Sequence, residues 1–192
     1  MIIKDLLADD EDSIRQAAKM LVEGFRENWP EAWPDLDSAL EEVRQSFAPD
    51  RISRAAAEES GEVVGWVGGI SMYEGKVWEL HPLVVSRKAR GRSVGRALVE
   101  DLEARVRERG GLTLWLGTDD ENGMTSLYGK DLYPNVLEHL AGIRNVRNHP
   151  FEFYLKMGFV IVGVMPDANG PGKPDIYMAK RVGGVAGPAP VP

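Results

Sequence analysis

The sequence predicts a single α/β or α+β domain whose central sheet is mixed, mostly antiparallel and flanked by helices. Two amphipathic helical patterns open the chain, and three strand patterns separated by short turns follow them. A longer helical pattern then interrupts the strands, and two strand patterns close the chain after further helical segments. At 192 residues, the chain has the length of one domain with a substantial core.

The first half of the chain is predicted to hold two helices and three strands. The first helix covers residues 13–27, where apolar side chains recur at helical spacing behind Ser13 or Asp12 as the N-cap. The turns Ser60-Gly61 and Glu74-Gly75 separate the strands. The remaining elements are a helix from about Leu36 to Phe47 and strands over 52–58, 62–73 and 76–85.

The second half is predicted to begin with a helix over 91–109, which ends at Gly110-Gly111. The elements after it are a strand over 112–118, helical stretches around 134–145 and over 151–157, and strands over 159–165 and 175–181. The segment 183–192 has neither charge nor periodicity, so we expect a domain over 1–182 and a disordered tail.

Composition excludes several classes of protein. The chain has no cysteine, which rules out disulfides, thiolate zinc sites and cysteine nucleophiles and suits a cytoplasmic protein. We expect no signal peptide, because the N-terminal residues are acidic and lack a long apolar core. We expect no membrane association, because no apolar run approaches membrane-spanning length. The net charge of −7 argues against nucleic-acid binding. His139 and His149 are too isolated from acidic clusters to predict a metal site.

The charge is unevenly distributed along the chain. Residues 86–96 hold five cations and no acid, although the whole chain has 23 Lys and Arg against 30 Asp and Glu. This basic segment follows the strand that ends at Val85 and precedes a helix, and a helix N-terminus next to cations favours a phosphate. The alternative is a solvated charged face. The acidic remainder fits a cationic partner, such as a small polycationic amine.

The turn Arg90-Gly91-Arg92-Ser93-Val94-Gly95 resembles the Gcn5-related N-acetyltransferase (GNAT) superfamily. In that superfamily an Arg/Gln-x-x-Gly-x-Gly/Ala turn follows the fourth strand and holds the pyrophosphate of acetyl-CoA. Ser93 stands where the superfamily pattern has its first glycine. The resemblance implies the GNAT fold, with acetyl-CoA as cosubstrate.

Further segments resemble one group of this superfamily, the aminoglycoside 6′-N-acetyltransferases of the type encoded on enterococcal chromosomes. The resemblance covers about residues 1–182 and implies an aminoglycoside amine as acceptor and a homodimer. Apolar closing strands and an extra segment over 124–148 also hint at a dimer. The segments that carry the resemblance are WELHPLVV (78–85), LGTDD (116–120), HPFEFY (149–154), KMGF (156–159) and KPDIYMAK (173–180).

The resemblance also assigns a cofactor site. The backbone N–H of Leu83 would polarise the thioester carbonyl, and Pro82, which cannot donate to a ladder, favours a bulge or splay that frees it. The backbone around Val85 would pair with the pantetheine arm. The complete predicted cofactor site is Leu83, Val84, Val85, Arg90, Gly91, Arg92, Ser93, Val94, Gly95 and Arg96.

Three residues are candidates for catalysis. Glu79 would accept the proton of the acceptor ammonium; the alternative is a structural carboxylate paired with a cation. His81 projects from the same strand face, and a catalytic or acceptor-binding role weighs equally with a structural one. Tyr154 lies in a segment resembling the superfamily's Tyr-x-x-x-Gly-Phe element and would protonate the leaving thiolate; otherwise it is a core aromatic.

The acceptor is expected to contact acidic and aromatic residues. Asp119 and Asp120 follow a strand, and carboxylates suit a polyamine, although Asp-rich turns are often simply solvated. Glu79 would bind the reacting amine, and Trp29 would stack on a sugar ring or anchor its loop to the core. The competing functions are acetylation of another amine, such as a polyamine or a protein lysine, and a non-catalytic CoA-binding module.

Overall fold

The computed structural model describes residues 1–184. The helices are α1 (Glu11–Phe25), α2 (Leu36–Gln45), α3 (Val94–Glu108), α4 (Val136–Ala141) and α5 (Phe151–Lys156), and the strands are β1 (Ile2–Asp5), β2 (Arg51–Ala57), β3 (Val63–Met72), β4 (Val77–Val85), β5 (Thr113–Asp119), β6 (Val160–Met165) and β7 (Asp175–Arg181). None of the helices within this part of the chain combines the length and apolar character that a membrane span needs.

The strands form one seven-stranded sheet in the order β1-β2-β3-β4-β5-β7-β6. Every pairing is antiparallel except that of β4 with β5. This confirms the mixed, mostly antiparallel sheet. The sequence analysis missed β1, because a four-residue edge strand is too short to show an alternating pattern.

Local hydrogen bonds move several predicted boundaries. The first helix begins earlier than expected because its N-cap is Asp10, which accepts from the backbone N–H of Ser13 at 3.0 Å. The helix predicted from residue 91 starts at Val94, since Arg87–Ala89 forms a separate 3-10 turn. The amides of Val182 and Gly183 still bond to the carbonyl of Leu112. From residue 185 onward, the tail predicted to be disordered lies outside the described residues.

Helices cover both faces of the sheet and bury two separate cores. On one face α3 packs through Leu98 and Leu102 against strand residues such as Leu80 and Leu114. On the other face α1 and α2 pack against β2 and β3 around Trp66, which is fully buried. Each fully buried leucine or isoleucine contributes about 1.5–3 kcal/mol, so the two cores hold the sheet rigidly between the helices.

A bulge interrupts β4 at His81-Pro82, as the proline predicted. Val67 pairs with Leu83, but Gly69 pairs with Leu80, so β4 carries one more residue than β3 between these pairs. An extra residue reverses the faces that the following side chains address.

The residues that β4 contributes to each of the two cores show this reversal. Trp78 and Leu80 before the bulge belong to the α3 core, whereas Val84 after it belongs to the core under α1 and α2. Leu83 and Val85 are turned to the α3 side instead. The bulge therefore leaves Glu79 and His81 on the face under α1 and α2, and turns the end of β4 toward α3.

The bulge coincides with a splay between β4 and β5. Their parallel pairing covers only three positions and stops at Glu79 opposite Trp115. Both strands continue, β4 to Val85 and β5 to Asp119, but they diverge. The divergence opens a cleft in the middle of the sheet and leaves backbone groups of β4 without a β5 partner.

The bulge requires a glycine on the facing strand. A Cβ atom on Gly68 would overlap the backbone carbonyl oxygen of His81. We therefore expect Gly68→Ala to cost about 1–3 kcal/mol of unfolding free energy and to reduce activity, because the bulge must shift. Chemical denaturation measures this effect. Gly163→Ala in β6 is the matched control, since its Cβ would lie 3.6 Å from Tyr177, an ordinary contact. Equal stability of the two variants would contradict the constraint.

Candidate active site

A cavity of about 1010 Å³ occupies the cleft between β4 and β5. The bulged end of β4 forms one wall, and the start of α3 closes one end. The loop after α1 and the start of α5 complete the wall. The cavity thus joins the predicted phosphate-binding turn to the predicted acceptor residues at the end of β5.

The N-terminus of α3 carries the features of an anion site. Ser93, its N-cap, has a left-handed backbone with φ 63° and makes no side-chain cap hydrogen bond, and the first turn contains no acid. The first amides of α3 are therefore available to a ligand, and the helix dipole favours an anion there. Gly91, Val94 and Gly95 line the cavity beside Ser93.

The basic segment divides into two groups. Arg90 and Arg96 line the cavity, and Arg90 Nε donates to the carbonyl of Val85 at 3.3 Å. Arg92 does not line the cavity; its guanidinium lies 2.9 Å from the carboxylate of Glu58. Its placement therefore disagrees with the prediction that it contacts cofactor. Arg87 and Lys88 are also paired with surface carboxylates, those of Glu27 and Glu62. Arg96 lines the cavity and also lies 3.7 Å from the carboxylate of Glu100.

The backbone groups that are predicted to contact the cofactor belong to the part of β4 after the bulge. Leu83, Val84 and Val85 all line the cavity. The side chain of Val84 is buried in the core under α1 and α2, so only its backbone is available to a ligand. Because β5 has diverged at this point, an extended ligand can pair with β4 as an added strand would.

Glu79 and His81 lie next to each other on one face of β4, as their spacing predicted. His81 lines the cavity, and its Nε2 lies 3.9 Å from a carboxylate oxygen of Glu42 on α2. Glu79 is half-buried and is not among the residues that line the cavity. Burial raises the pKa of Glu79, and Glu42 raises it further, although His81 and Arg51 act in the opposite direction. A raised pKa makes this carboxylate a stronger base.

Tyr154 lines the cavity from α5. Its ring packs against those of Phe153 and Phe159, with centroids 5.1 and 5.6 Å away. Burial raises the pKa of its hydroxyl. The hydroxyl therefore stays protonated at neutral pH, and the same shift makes it a weaker acid than an exposed tyrosine.

The two aspartates after β5 have different surroundings. Asp119 lines the cavity, and its carboxylate accepts a hydrogen bond from the side-chain amide of Asn169. Asp120 is fully buried and accepts from the backbone N–H groups of Asn122, Met124 and Thr125 at 3.3, 2.8 and 2.7 Å. The structure therefore does not bring Asp120, predicted to bind substrate, to the cavity wall, because this carboxylate accepts hydrogen bonds from its own loop.

Asp175 on β7 is a site residue that the sequence analysis missed. It pairs across the sheet with Asp119, and its carboxylate lies over Gly117, where a Cβ atom would be 2.5 Å from Oδ2. Burial and then the charge of Asp119 raise the pKa of Asp175 to about 7. Glu79 contributes in the same direction. Asp175 and Glu79 form an acidic floor beside Asp119, which is the one of these three carboxylates that lines the cavity. This concentration of acids favours a polycationic ligand.

The only sequence signal for Asp175 is its position in KPDIYMAK, a segment that carried the family resemblance without a chemical role. The register between β5 and β7 cannot be deduced from such a segment, since it depends on long-range pairing.

The loop after α1 supplies two tryptophans with different roles. Trp33 is buried, and its ring packs on Phe25 at 4.6 Å and on His81 at 5.9 Å. Trp29 is half-buried and lines the cavity, and its ring packs on Phe25 at 5.7 Å. Both tryptophans line the cavity. Trp33 is the more buried of the two and anchors the loop, and the half-buried Trp29 has the more accessible ring.

Comparisons with known proteins agree with this geometry. The Acetyltransferase (GNAT) family matches residues 18–132. A comparison with curated proteins gave no match. Among solved structures, an aminoglycoside 6′-N-acetyltransferase complexed with coenzyme A is 42% identical, with a TM-score of 0.89 over 98% of this chain and 100% of that chain.

Two further solved structures match over the same shares of both chains. The aminoglycoside 6′-N-acetyltransferase from Enterococcus faecium is 40% identical, with a TM-score of 0.85. An aminoglycoside 6′-acetyltransferase type Ii is 38% identical, with a TM-score of 0.71. Both the matched family and these identities over nearly the whole chain lead to one conclusion: the protein belongs to the GNAT family of acetyltransferases.

Proposed function

We propose that this enzyme transfers the acetyl group of acetyl-CoA to the 6′-amine of an aminoglycoside, by direct transfer while both substrates are bound. The observation that carries the proposal is the cavity that joins the start of α3 to Asp119 beside the acidic floor. One end suits a phosphate-bearing cosubstrate and the other a polycation. The similarity to three aminoglycoside 6′-acetyltransferases supports this pairing.

The described residues fit acetyl-CoA. The uncapped amides at the start of α3, together with Arg90 and Arg96, would hold its pyrophosphate. The unpaired edge of β4 from Leu83 to Val85 would hold its pantetheine arm, and the N–H of Leu83 would donate to the thioester carbonyl. When bound, acetyl-CoA supplies an acetyl group activated as a thioester.

The acidic end of the cavity would bind the acceptor. An aminoglycoside carries several ammonium groups, and each prefers a charge-assisted hydrogen bond to a carboxylate. Glu31, Asp119 and Glu121 lie on the cavity wall, and we assign Asp119 to this contact. Asp175 pairs with Asp119 across the sheet and adds negative potential in its ionised form. Trp29 offers an aromatic face beside the same cavity.

Proton transfer would run in two directions. The acceptor amine must lose a proton before it can attack, and Glu79, whose pKa is raised by burial, would accept that proton directly or through water. His81, on the cavity wall, would help to orient the amine. Tyr154, which remains protonated, would donate to the departing thiolate.

We also propose a homodimer that acts in the cytoplasm. β6 is an edge strand whose side chains Val160 and Val162 are each 59% exposed. Tyr133, Leu137 and Val146 in the segment 124–148 are exposed as well. An apolar surface beside an unpaired strand edge fits a second copy.

Acetylation removes a positive charge from the drug, so antibiotic resistance is the physiological role that we propose.

A panel of acceptors tests the activity. We expect acetyl-CoA turnover to have its highest kcat/KM with kanamycin and neamine, and the product to carry the acetyl group on the 6′-nitrogen by NMR. Spermidine and a lysine peptide are the comparison acceptors. A higher kcat/KM with either would assign another amine as substrate. Binding of acetyl-CoA without turnover of any acceptor would indicate a non-catalytic module.

Asp119 and Asp120 form a matched pair of neighbouring carboxylates. Asp119→Asn should raise the KM for the aminoglycoside about 10-fold or more and leave the KM for acetyl-CoA unchanged, because a charge-assisted contact is lost. Asp120→Asn should instead lower the unfolding free energy by about 1–3 kcal/mol, since one of the two oxygens that accept from buried backbone N–H groups becomes an NH2 donor. Steady-state kinetics and denaturation distinguish them. An effect of Asp119→Asn on both KM values would indicate a structural role.

Tyr154→Phe tests the proton donor. Loss of the hydroxyl should lower the single-turnover rate about 10- to 100-fold while acetyl-CoA still binds, because the thiolate then leaves unprotonated. A rapid-quench measurement is needed, since product release can mask the chemical step. Glu79→Gln is the companion variant: its loss in kcat/KM should be smallest at high pH, where more of the amine is already neutral. An unchanged single-turnover rate in Tyr154→Phe would make this tyrosine a core aromatic.

A further inference from the structure

His149 is almost completely buried, with 1% of its surface exposed, and the proposed reaction does not use it. It precedes Pro150 at the start of α5 and does not line the cavity, although Asn148 and Pro150 on either side of it do. A buried imidazole needs hydrogen-bond partners at both ring nitrogens. These partners come from two different elements of the site.

The two partners fix the protonation state of the ring. Nδ1 accepts a hydrogen bond from the backbone N–H of Phe151 at 3.2 Å, so Nδ1 carries no proton. Nε2 lies 3.1 Å from the backbone carbonyl oxygen of Asp119 and therefore carries the proton and donates it. The ring is thus the neutral Nε2–H tautomer, and only this form satisfies both contacts.

The backbone of His149 is held as firmly as its ring. The side-chain amide of Asn145 donates to the carbonyl of His149 at 3.0 Å and accepts from its N–H at 2.9 Å. Asn145 forms an isolated bridge with Thr125, whose N–H is bound by the buried Asp120. A chain of hydrogen bonds therefore runs from the end of β5 through the loop and back to the start of α5.

We propose that His149 is a positioning residue that ties the end of β5 to the start of α5 and so sets the position of Asp119 relative to Tyr154. Asp119 is the proposed acceptor carboxylate, and its backbone carbonyl is one end of the tie. Tyr154 is the proposed proton donor, three residues beyond the amide of Phe151 at the other end. The inference rests on the proposed function, because those two residues define what is being positioned.

The tie depends on pH in a defined direction. The charged groups near the ring are the carboxylates of Asp119 and Asp120, which favour its protonation, but burial outweighs them and lowers the pKa of His149. The unfolded chain therefore binds this proton more readily than the folded protein. The contribution of His149 to the free energy of unfolding is therefore complete above the ordinary histidine pKa of about 6.5. This contribution is lost as the pH falls below that value. A proton on Nδ1 would face the N–H of Phe151.

Two substitutions separate the two halves of the tie. In His149→Gln the side-chain amide reaches the Nε2 position and keeps the donor to Asp119. In His149→Asn the side-chain oxygen stands at the Nδ1 position, so it keeps the contact to Phe151 but loses the link to β5. We expect His149→Asn to lower kcat/KM for the aminoglycoside about 10- to 100-fold with the KM for acetyl-CoA unchanged. His149→Gln should recover most of that loss.

Equal losses in both variants, or an unchanged kcat/KM in His149→Asn, would overturn the proposal. If both variants fail to fold, ¹⁵N NMR of the wild-type histidines provides the test, with His81→Gln and His139→Gln used to assign the three histidines. We expect an Nε2–H resonance for His149 and a titration midpoint below that of an ordinary histidine, because burial lowers its pKa. A protonated Nδ1 or an ordinary titration would overturn the tie. This spectrum requires no acceptor, so it distinguishes failure of the tie from failure of the proposed activity.

Discussion

The carbonyl oxygen of His81 lies so close to Gly68 that a Cβ atom on residue 68 would overlap it, so only glycine fits there. The extra residue of β4 fits there, and everything that follows in β4 depends on it. Without the bulge, the alternation of the strand would continue and Leu83 would face the opposite core. With it, Glu79 and His81 stay under α1 and α2 while the end of β4 turns toward α3.

The cleft gains its chemistry from the elements that meet at the divergence of β4 and β5. The start of α3 contributes free amides and the positive end of a helix dipole. The end of β5, paired with β7, contributes carboxylates that repel one another and are partly buried, as the raised pKa of Asp175 records. Opposite potentials at the two ends of one cavity suit two substrates of opposite charge.

The acidic end is supported by a network of hydrogen bonds rather than by a hydrophobic core alone. Asp120, Asn145 and His149 each satisfy backbone groups of the segment between β5 and α5. Asp120 and His149 are buried, and Asn145 is partly buried. Loss of one partner therefore leaves unpaired polar groups, which costs more free energy than the hydrogen bond itself contributes. The loop is therefore held in one conformation despite having little regular secondary structure.

The sequence by itself determined the fold class, the bulge at Pro82 and the cationic turn before α3, because these follow from local periodicity, from a missing backbone donor and from a run of cations before a helix. It also placed Glu79 and His81 on one face. Only the tertiary structure decided which acids face the cavity. Asp119 and Asp120 are adjacent in sequence, yet one lines the cavity and the other is buried, and Asp175 joins them through strand pairing 56 residues away. Pairing and burial are long-range outcomes that no local pattern encodes.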